Sequence, residues 1–265
     1  MLAREPEMSE FESAFLCGLL NKFQPKKILE LGVVGRSTTG IILRCLEKIG
    51  QPYIMNSINI SEDFHLDKNF KTGSLALPTK ENLKFGTHNF YFNTVIPFKI
   101  EEIGGDIDFV ILDTAHVLPG EVLDFLIVLP YLSENAVVCL HDVSECQRVP
   151  DFEHFPQHAT TALFSAVTAD KFLNFVNLLT NEYTGLRYPN IAAFQINADT
   201  MKNIESVFLT LIMRWRYLPE NRDLNGYMDM LMKLYPQNLF LIFQEALRMN
   251  VKNLMAEAQA NAAQR

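Results

Sequence analysis

Two aspartates and a histidine carry the clearest chemistry in this 265-residue chain. Asp113 ends the apolar run that starts at Ile107, and Asp142 follows the run Ala136-Val-Val-Cys-Leu-His141. Both runs have the length and continuity of strands buried on both faces. If two such strands are neighbours in a sheet, their ends lie roughly 5 Å apart. Carboxylates at that spacing can hold Mg²⁺ or another hard divalent cation, or can orient a substrate hydroxyl. His116 lies three residues beyond Asp113, on the turn above the sheet. A neutral imidazole there can take a proton from a hydroxyl near neutral pH. His141 is adjacent to Asp142 and can point away from it. Each residue taken alone also has a plain structural use, Asp as a helix cap and His as a packed side chain; their shared sheet edge is what points to chemistry.

The second constellation is Glu30-Leu-Gly32-Val-Val-Gly35-Arg-Ser37-Thr38. It reads as the end of a short strand, a tight two-glycine turn and a helix that starts at Ser37 or Thr38. Such a turn lets the backbone approach a nucleoside-like ligand closely. A dinucleotide fingerprint would place glycine where Val34 stands, and a Walker loop would need Gly-Lys-Ser/Thr at a longer spacing from Gly32. Phosphate binding is therefore disfavoured. A ligand with adenosine and an amino-acid tail suits the turn better, with Glu30 able to accept a hydrogen bond from an ammonium group, directly or through water. The alternative is an ordinary junction with Ser37 or Thr38 as N-cap.

The elements that must position these groups follow from periodicity. Residues 8–22 carry Phe11, Phe15, Leu16, Leu19 and Leu20 at helical spacing. Lys27–Leu31 reads as strand one, residues 37–49 as a helix ended by Gly50, and Tyr53–Ile60 as strand two. Residues 61–88 read as polar and irregular, with a short helix near 79–84. Ile107–Leu112 is the next strand, a helix opens at Pro119, and Ala136–Leu140 is the strand after it. Phe172–Leu178 and Ile191–Ile196 read as two later strands closing a hairpin through Gly185 and Pro189. Strands alternating with helices imply right-handed crossovers and an α/β fold: a doubly wound, mostly parallel sheet. From about residue 199 the pattern is helical, which divides the chain into residues 1–198 and a C-terminal extension, 199–265. Residues 256–265 are expected to fray. The aromatic and Met content of 205–246 suits packing on the main domain or a homodimer contact rather than a cofactor site.

Composition narrows the partners. The chain is 48% apolar and 20% charged with a net charge of −8, so it has no overall pull toward nucleic acid or anionic lipid. No 18-residue apolar run suggests a membrane span. The four cysteines, Cys17, Cys45, Cys139 and Cys146, read as reduced core residues, and the chain as cytoplasmic. Asp106 and Asp108 read as solvated, His154 and His158 as a surface loop, and His65 and Asp67 as near the base edge by position only.

Three segments together resemble the class I S-adenosylmethionine-dependent methyltransferases, in particular the O-methyltransferases that modify sugars and other hydroxylated small molecules. They are Ile28-Leu-Glu-Leu-Gly-Val-Val-Gly-Arg-Ser-Thr38, Ile107-Asp-Phe-Val-Ile-Leu-Asp-Thr-Ala-His116 and Ala136-Val-Val-Cys-Leu-His-Asp142. With their helices they cover roughly residues 25–145. The resemblance implies a seven-stranded Rossmann-like sheet and S-adenosylmethionine as cofactor. It implies cofactor binding by Glu30, Gly32, Gly35, Ser37, Thr38 and Asn59, and methyl transfer to a hydroxyl of a small molecule or glycan precursor. By the same resemblance Asp113 and Asp142 match metal-binding aspartates and His116 a base. Two positions depart from the pattern. Asn59 stands where many members carry an acid for the ribose hydroxyls, and Val143 stands where metal-dependent members carry Asp or Asn. Those departures favour the alternative of a non-catalytic cofactor- or partner-binding protein. An NAD-dependent oxidoreductase is disfavoured by Val34 and Asn59.

Overall fold

The computed structural model describes residues 8–33, 38–63, 71–72, 76, 81–144, 159–173 and 190–263. Gly35, Ser37, His65, Asp67, Cys146, His154, His158 and the turn expected at Gly185 and Pro189 lie outside the described residues.

Seven strands form one sheet: β1 (Lys27–Leu31), β2 (Tyr53–Asn59), β3 (Gly86–Phe92), β4 (Ile107–Leu112), β5 (Leu132–His141), β6 (Asp170–Leu173) and β7 (Ile191–Gln195). Their spatial order is β3-β2-β1-β4-β5-β7-β6. The first five are parallel, while β7 runs antiparallel to β5 and to β6. This is the doubly wound, mostly parallel sheet expected from the sequence. The order reverses between β1 and β4, and a parallel sheet opens a crevice beyond its carboxyl edge at such a point.

Strand alternation divides the apolar residues between two cores. Leu29, Leu31, Val110, Leu112, Val138 and Leu140 face one side. There they meet α4 (Gly120–Val128), α5 (Ala159–Ala166), α7 (Glu205–Thr210), α8 (Asn221–Leu234) and α9 (Gln237–Ala263). Ile28, Phe109, Ile111, Val137 and Cys139 face the other side, under α1 (Glu10–Phe23) and α2 (Thr38–Ile49). Two short helices, α3 (Ile100–Ile103) and α6 (Ala198–Lys202), complete the described set. Burial on both faces explains why β4 and β5 read as unbroken apolar runs.

Several expectations are corrected. β3 falls inside the segment read partly as irregular. It is an edge strand, and its sequence Gly-Thr-His-Asn-Phe-Tyr-Phe lacks a sustained apolar run. Residues 81–85 form turns and bends where part of a short helix was expected. Helix α9 continues through Ala263, beyond the start of the tail expected to fray. Asp108 is not simply solvated: its carboxylate accepts the Lys26 and Lys27 N–H groups, each at 2.9 Å, and fixes the start of β1 to β4. Cys17 and Cys45 are not reduced. They form a disulfide between α1 and α2, with Cα atoms 6.1 Å apart. The two helices pack side by side under the same face of the sheet, a proximity that a separation of 28 residues does not reveal. The disulfide removes the cysteine argument for an intracellular setting. Cys139 is a buried free thiol, as expected.

Residues 199–263 share the apolar core that faces α4. The segment 211–220, read as helical, is not a helix. One buried amide supplies part of its backbone bonding. Asn250 of α9 accepts the Trp215 N–H at 2.8 Å and donates to the carbonyls of Met213 and Ala246 at 3.2 and 3.0 Å. The Arg216 N–H then donates to the Leu118 carbonyl at 3.0 Å, which ties this segment to the loop after β4. Asn250→Ala strips these partners from buried backbone groups. The expected loss is about 2 kcal/mol, read as a fall in Tm of roughly 4–8 °C; an unchanged Tm contradicts the assignment.

Candidate functional site

A cavity of about 400 Å³ opens at the carboxyl ends of β1, β2 and β4. Its position follows from a close approach between two strand ends. Gly32, with φ 85°, lies against the backbone of Asp113; a Cβ built on Gly32 would stand 1.8 Å from the Asp113 carbonyl oxygen. Only glycine fits there. Neighbouring strands hold the turn on both sides. The Gly32 N–H donates to the Ile58 carbonyl at 3.0 Å, and the Asp113 N–H donates to the Leu31 carbonyl at 2.9 Å. Three carboxylates, Asp63, Asp113 and Asp124, line the cavity, and no Lys or Arg is among the described lining residues. Asp63 pairs with Lys71 at 2.6 Å, Asp113 faces His141 at 3.2 Å, and burial raises the Asp124 pKa to about 7, so much of this charge is balanced, while the lining itself offers no cation to a phosphate.

Asn59 lines the cavity, and its amide is anchored at both ends. Oδ1 accepts the Val33 N–H at 3.1 Å, and Nδ2 donates to the Ser61 carbonyl at 2.7 Å. It joins the glycine turn to the chain leaving β2. Glu30 is fully buried and faces α2, because alternation puts it on the side opposite Leu31. Its carboxylate accepts the Thr39 hydroxyl at 2.9 Å and the Ser57 hydroxyl at 2.6 Å. Burial pushes its pKa up to about 7; the two hydroxyls oppose that rise and the Asp113 charge adds to it. Thr38 is buried at the start of α2.

Asp113, His116 and Asp142 come together as the sequence suggested. His116 Nε2 stands 3.7 Å from Asp113 Oδ1 and 3.5 Å from Asp142 Oδ2, while Nδ1 is 3.5 Å from Glu121 Oε1. Glu121 also accepts the His116 N–H at 2.6 Å. His116 and Asp142 both have positive φ, 59° and 57°, a conformation in which non-glycine residues are held only when their surroundings impose it.

His141 does not point away from this group. Its Nδ1 is 3.2 Å from Asp113 Oδ1 and 3.5 Å from Asp142 Oδ1, and its Nε2 is 3.7 Å from Glu12 Oε1 on α1. Burial works against charge on His141, but the Asp113, Glu12 and Asp142 carboxylates outweigh it and hold the pKa well above the usual imidazole range. Glu12 responds in kind. Burial would raise it, yet the nearby His141 charge and the Ser9 N–H bond bring it down to about 2. Burial likewise opposes ionisation of Asp113, and His141 reverses the balance and lowers its pKa. An imidazolium thus sits among three carboxylates at the point where α1, β4 and β5 meet.

Asp113, His141 and Asp142 each offer one ligand atom within 4.8 Å of the others. The set does not suit Mg²⁺. A hard cation asks for oxygen donors, whereas here one of the three donors is an imidazole nitrogen. Val143 is buried in the apolar core and offers no side-chain ligand. Asn190 donates to Asp142 Oδ1 at 2.6 Å and so occupies one of its oxygens.

The residues that sequence reasoning missed are Glu12, Glu121, Asp124, Tyr217 and Tyr227. Glu12 had a signal: Ser9 and Glu12 form a capping box, with both reciprocal bonds present. Its reach to His141 had none. Asp124, Tyr217 and Tyr227 line the cavity, and the two tyrosines come from the extension that was read as remote from any cofactor site.

The raised pKa of Glu30 has a stability consequence. A carboxyl whose folded pKa is raised binds more protons folded than unfolded, so its contribution is full below pH about 4.5 and is lost as pH rises through about 7. Glu30→Gln cannot ionise. In urea unfolding, the native chain is expected to lose on the order of 3 kcal/mol more than the variant between pH 4.5 and 7.5; equal slopes contradict this.

No family model matches the sequence, and no curated protein matches it significantly. Solved structures do match. The chain is similar to the O-methyltransferase from Bacillus cereus in complex with SAH, at 16% identity, covering 72% of this chain and 83% of that one with a TM-score of 0.49. It is similar to the O-methyltransferase TomG from Streptomyces achromogenes in complex with SAM, at 17% identity, covering 74% and 93% with a TM-score of 0.47. A putative caffeoyl-CoA O-methyltransferase from Staphylococcus aureus matches at 13% identity, covering 72% and 85% with a TM-score of 0.48.

Proposed function

We propose that the chain transfers a methyl group from S-adenosylmethionine to a hydroxyl oxygen of a small molecule or glycan precursor. One observation carries the reading. The cavity at the sheet's reversal point is lined by carboxyl groups and by no Lys or Arg among the described residues, and it shares Asp113 with the His116–Asp142 cluster. Such a cavity suits a ligand that carries a sulfonium and an ammonium and lacks phosphate. When bound, the cofactor supplies a methyl group already activated on sulfur.

The chain's residues then have three tasks. Gly32 and Val33 give the ligand close access to backbone, with Asn59 fixing that turn. Glu30 serves from behind, by tying α2 and β2 to the end of β1. His116 would take the acceptor's hydroxyl proton at Nε2, and the bound cofactor would supply the methyl group that the oxygen receives. Asp113 and Asp142 stabilise the imidazolium that results, and Glu121 faces Nδ1. General-base work of this kind contributes typically ~10²–10⁴-fold. His141 supplies the fixed positive charge that keeps Asp113 ionised. No divalent cation enters this scheme. A second reading has support from Asn59, whose amide is committed to backbone, and from the apolar Val143: a protein that binds the cofactor without transferring its methyl group. No described helix is long and apolar enough to cross a membrane.

Calorimetric titration with S-adenosylmethionine and S-adenosylhomocysteine tests the proposal. Both are expected to bind, with affinities that Mg²⁺ does not change; binding of neither contradicts it, and a strong Mg²⁺ response restores a metal. His116→Ala is expected to keep cofactor affinity and to lower methyl transfer by at least 10²-fold. Unchanged transfer removes the base assignment.

A further inference from the structure

The Cys17–Cys45 disulfide brackets the segment that builds the site. Between its two cysteines lie β1, the glycine turn and the start of α2, so Glu30 and Gly32 fall inside the closed loop. Cys17 follows Glu12 by five residues and Cys45 follows Thr39 by six, about 7–9 Å along each helix. Each helix reaches the site through one buried side chain. From α2, the Thr39 hydroxyl donates to Glu30 at the end of β1, at 2.9 Å. From α1, Glu12 Oε1 stands 3.7 Å from His141 Nε2, and His141 Nδ1 stands 3.2 Å from Asp113, just past β4. The two routes end on the two strand exits that meet where Gly32 touches the Asp113 backbone.

The cross-link is within reach of a reagent, and the two helices have other reasons to pack. Both cysteines are half-buried. Gly18, next to Cys17, is exposed, and a Cβ built on it would meet nothing within 4 Å outside its own helix backbone and chain neighbours. Leu16, Leu19 and Leu20 of α1 share one apolar core with Ile42, Leu43 and Leu46 of α2. Burial of that kind holds two helices together without a covalent bond. Opening the disulfide therefore leaves the fold in place and widens the play between α1 and α2. Cys139 lies elsewhere, buried in β5.

We propose that Cys17 and Cys45 form a redox site, reducible by a dithiol, that sets the affinity of the cavity for its ligand. The inference rests on the cofactor reading above. A thiolate of the dithiol attacks one sulfur of the disulfide, the S–S bond breaks and a mixed disulfide forms. The dithiol's second thiolate then attacks its own sulfur in that mixed disulfide and releases the protein thiolate. Cys17 and Cys45 end as thiols, having gained two electrons and two protons, and the dithiol ends as a disulfide. In the oxidised chain both helices hold the exits of β1 and β4 and the cavity is preformed. In the reduced chain α1 and α2 move separately, Glu12 and Thr39 hold those exits less firmly, and the ligand must order them as it binds. Oxidation thus favours binding and reduction weakens it.

The test uses the full chain, oxidised with glutathione disulfide or reduced with dithiothreitol, the state of the Cys17–Cys45 link being read by peptide mass spectrometry. Each form is titrated with S-adenosylhomocysteine in a calorimeter. The oxidised form is expected to bind at least about fivefold more tightly, and reoxidation is expected to restore that affinity. Backbone hydrogen exchange in α1 and the first turns of α2 is expected to quicken on reduction. Cys45→Ser cannot form the bond. It is expected to bind like the reduced chain and to ignore dithiothreitol, which separates this disulfide from effects on the other cysteines. Equal affinity of the linked and unlinked native chain overturns the proposal, as does a Cys45→Ser chain that still responds to the dithiol. If neither form binds S-adenosylhomocysteine, the cofactor reading fails and the affinity claim with it. Hydrogen exchange then decides by itself whether the disulfide governs α1 and α2, and equal exchange in the two forms rejects that as well.

Discussion

The contact of Gly32 with the backbone of Asp113 is the constraint on which the rest of the site depends. It presses the exit of β1 onto the end of β4 at the point where the sheet changes winding direction. Three consequences follow from one missing Cβ. The turn closes tightly enough to present backbone to a ligand. Asp113 is fixed at the boundary between cavity and charge cluster. The chain leaving β4 is directed along residues 114–121, so that His116 stands over Asp113 and Asp142 while Thr114 reaches Asp124. Any side chain at position 32 would have to separate the two strand ends and would disturb all three together.

The buried ions around His141 make sense against that constraint. Lone buried carboxylates are costly, and a cluster is tolerated when charges pair and the remaining atoms are satisfied. Here His141 faces carboxylates from α1 and from the residues after β4 and β5, and its charge favours an ionised Asp113, while Glu12 Oε1 and His141 Nε2 have no hydrogen-bond partner among the described residues. The arrangement also explains why α1 is part of the site. Its N-terminus carries Glu12, its capping box with Ser9 aligns that residue, and the Cys17–Cys45 disulfide fastens α1 to α2. The helix that opens the described chain thus faces the His141 cluster near its start and is joined by the disulfide to the helix after the glycine turn.

Much of this was legible in the sequence where a single periodicity decided the outcome. β1, β4 and β5 are buried on both faces and read as apolar runs; α1 and α2 carry one-sided stripes. Asp113, His116 and Asp142 could be placed because each lies at or just past a strand end, where position follows from the strand itself. What was not legible depended on partners distant in sequence. β3 is an edge strand with little apolar content. Asn250 holds residues 211–216 out of a helix from 35 residues away, as its bond to Trp215 shows. The Glu12–His141 and Asp124–Tyr227 pairs join residues 129 and 103 positions apart, and local pattern contains nothing of either. Glu30 is instructive in a different way. Its type and place suggested ligand contact, but alternation along β1 turns it toward α2, where it fastens Thr39 and Ser57.

The account is tested most directly by a crystal structure of the full chain grown with S-adenosylhomocysteine. It predicts the ligand in the cavity beside Gly32 and Asp113, at the carboxyl ends of β1, β2 and β4. Ligand density elsewhere on the molecule would contradict it.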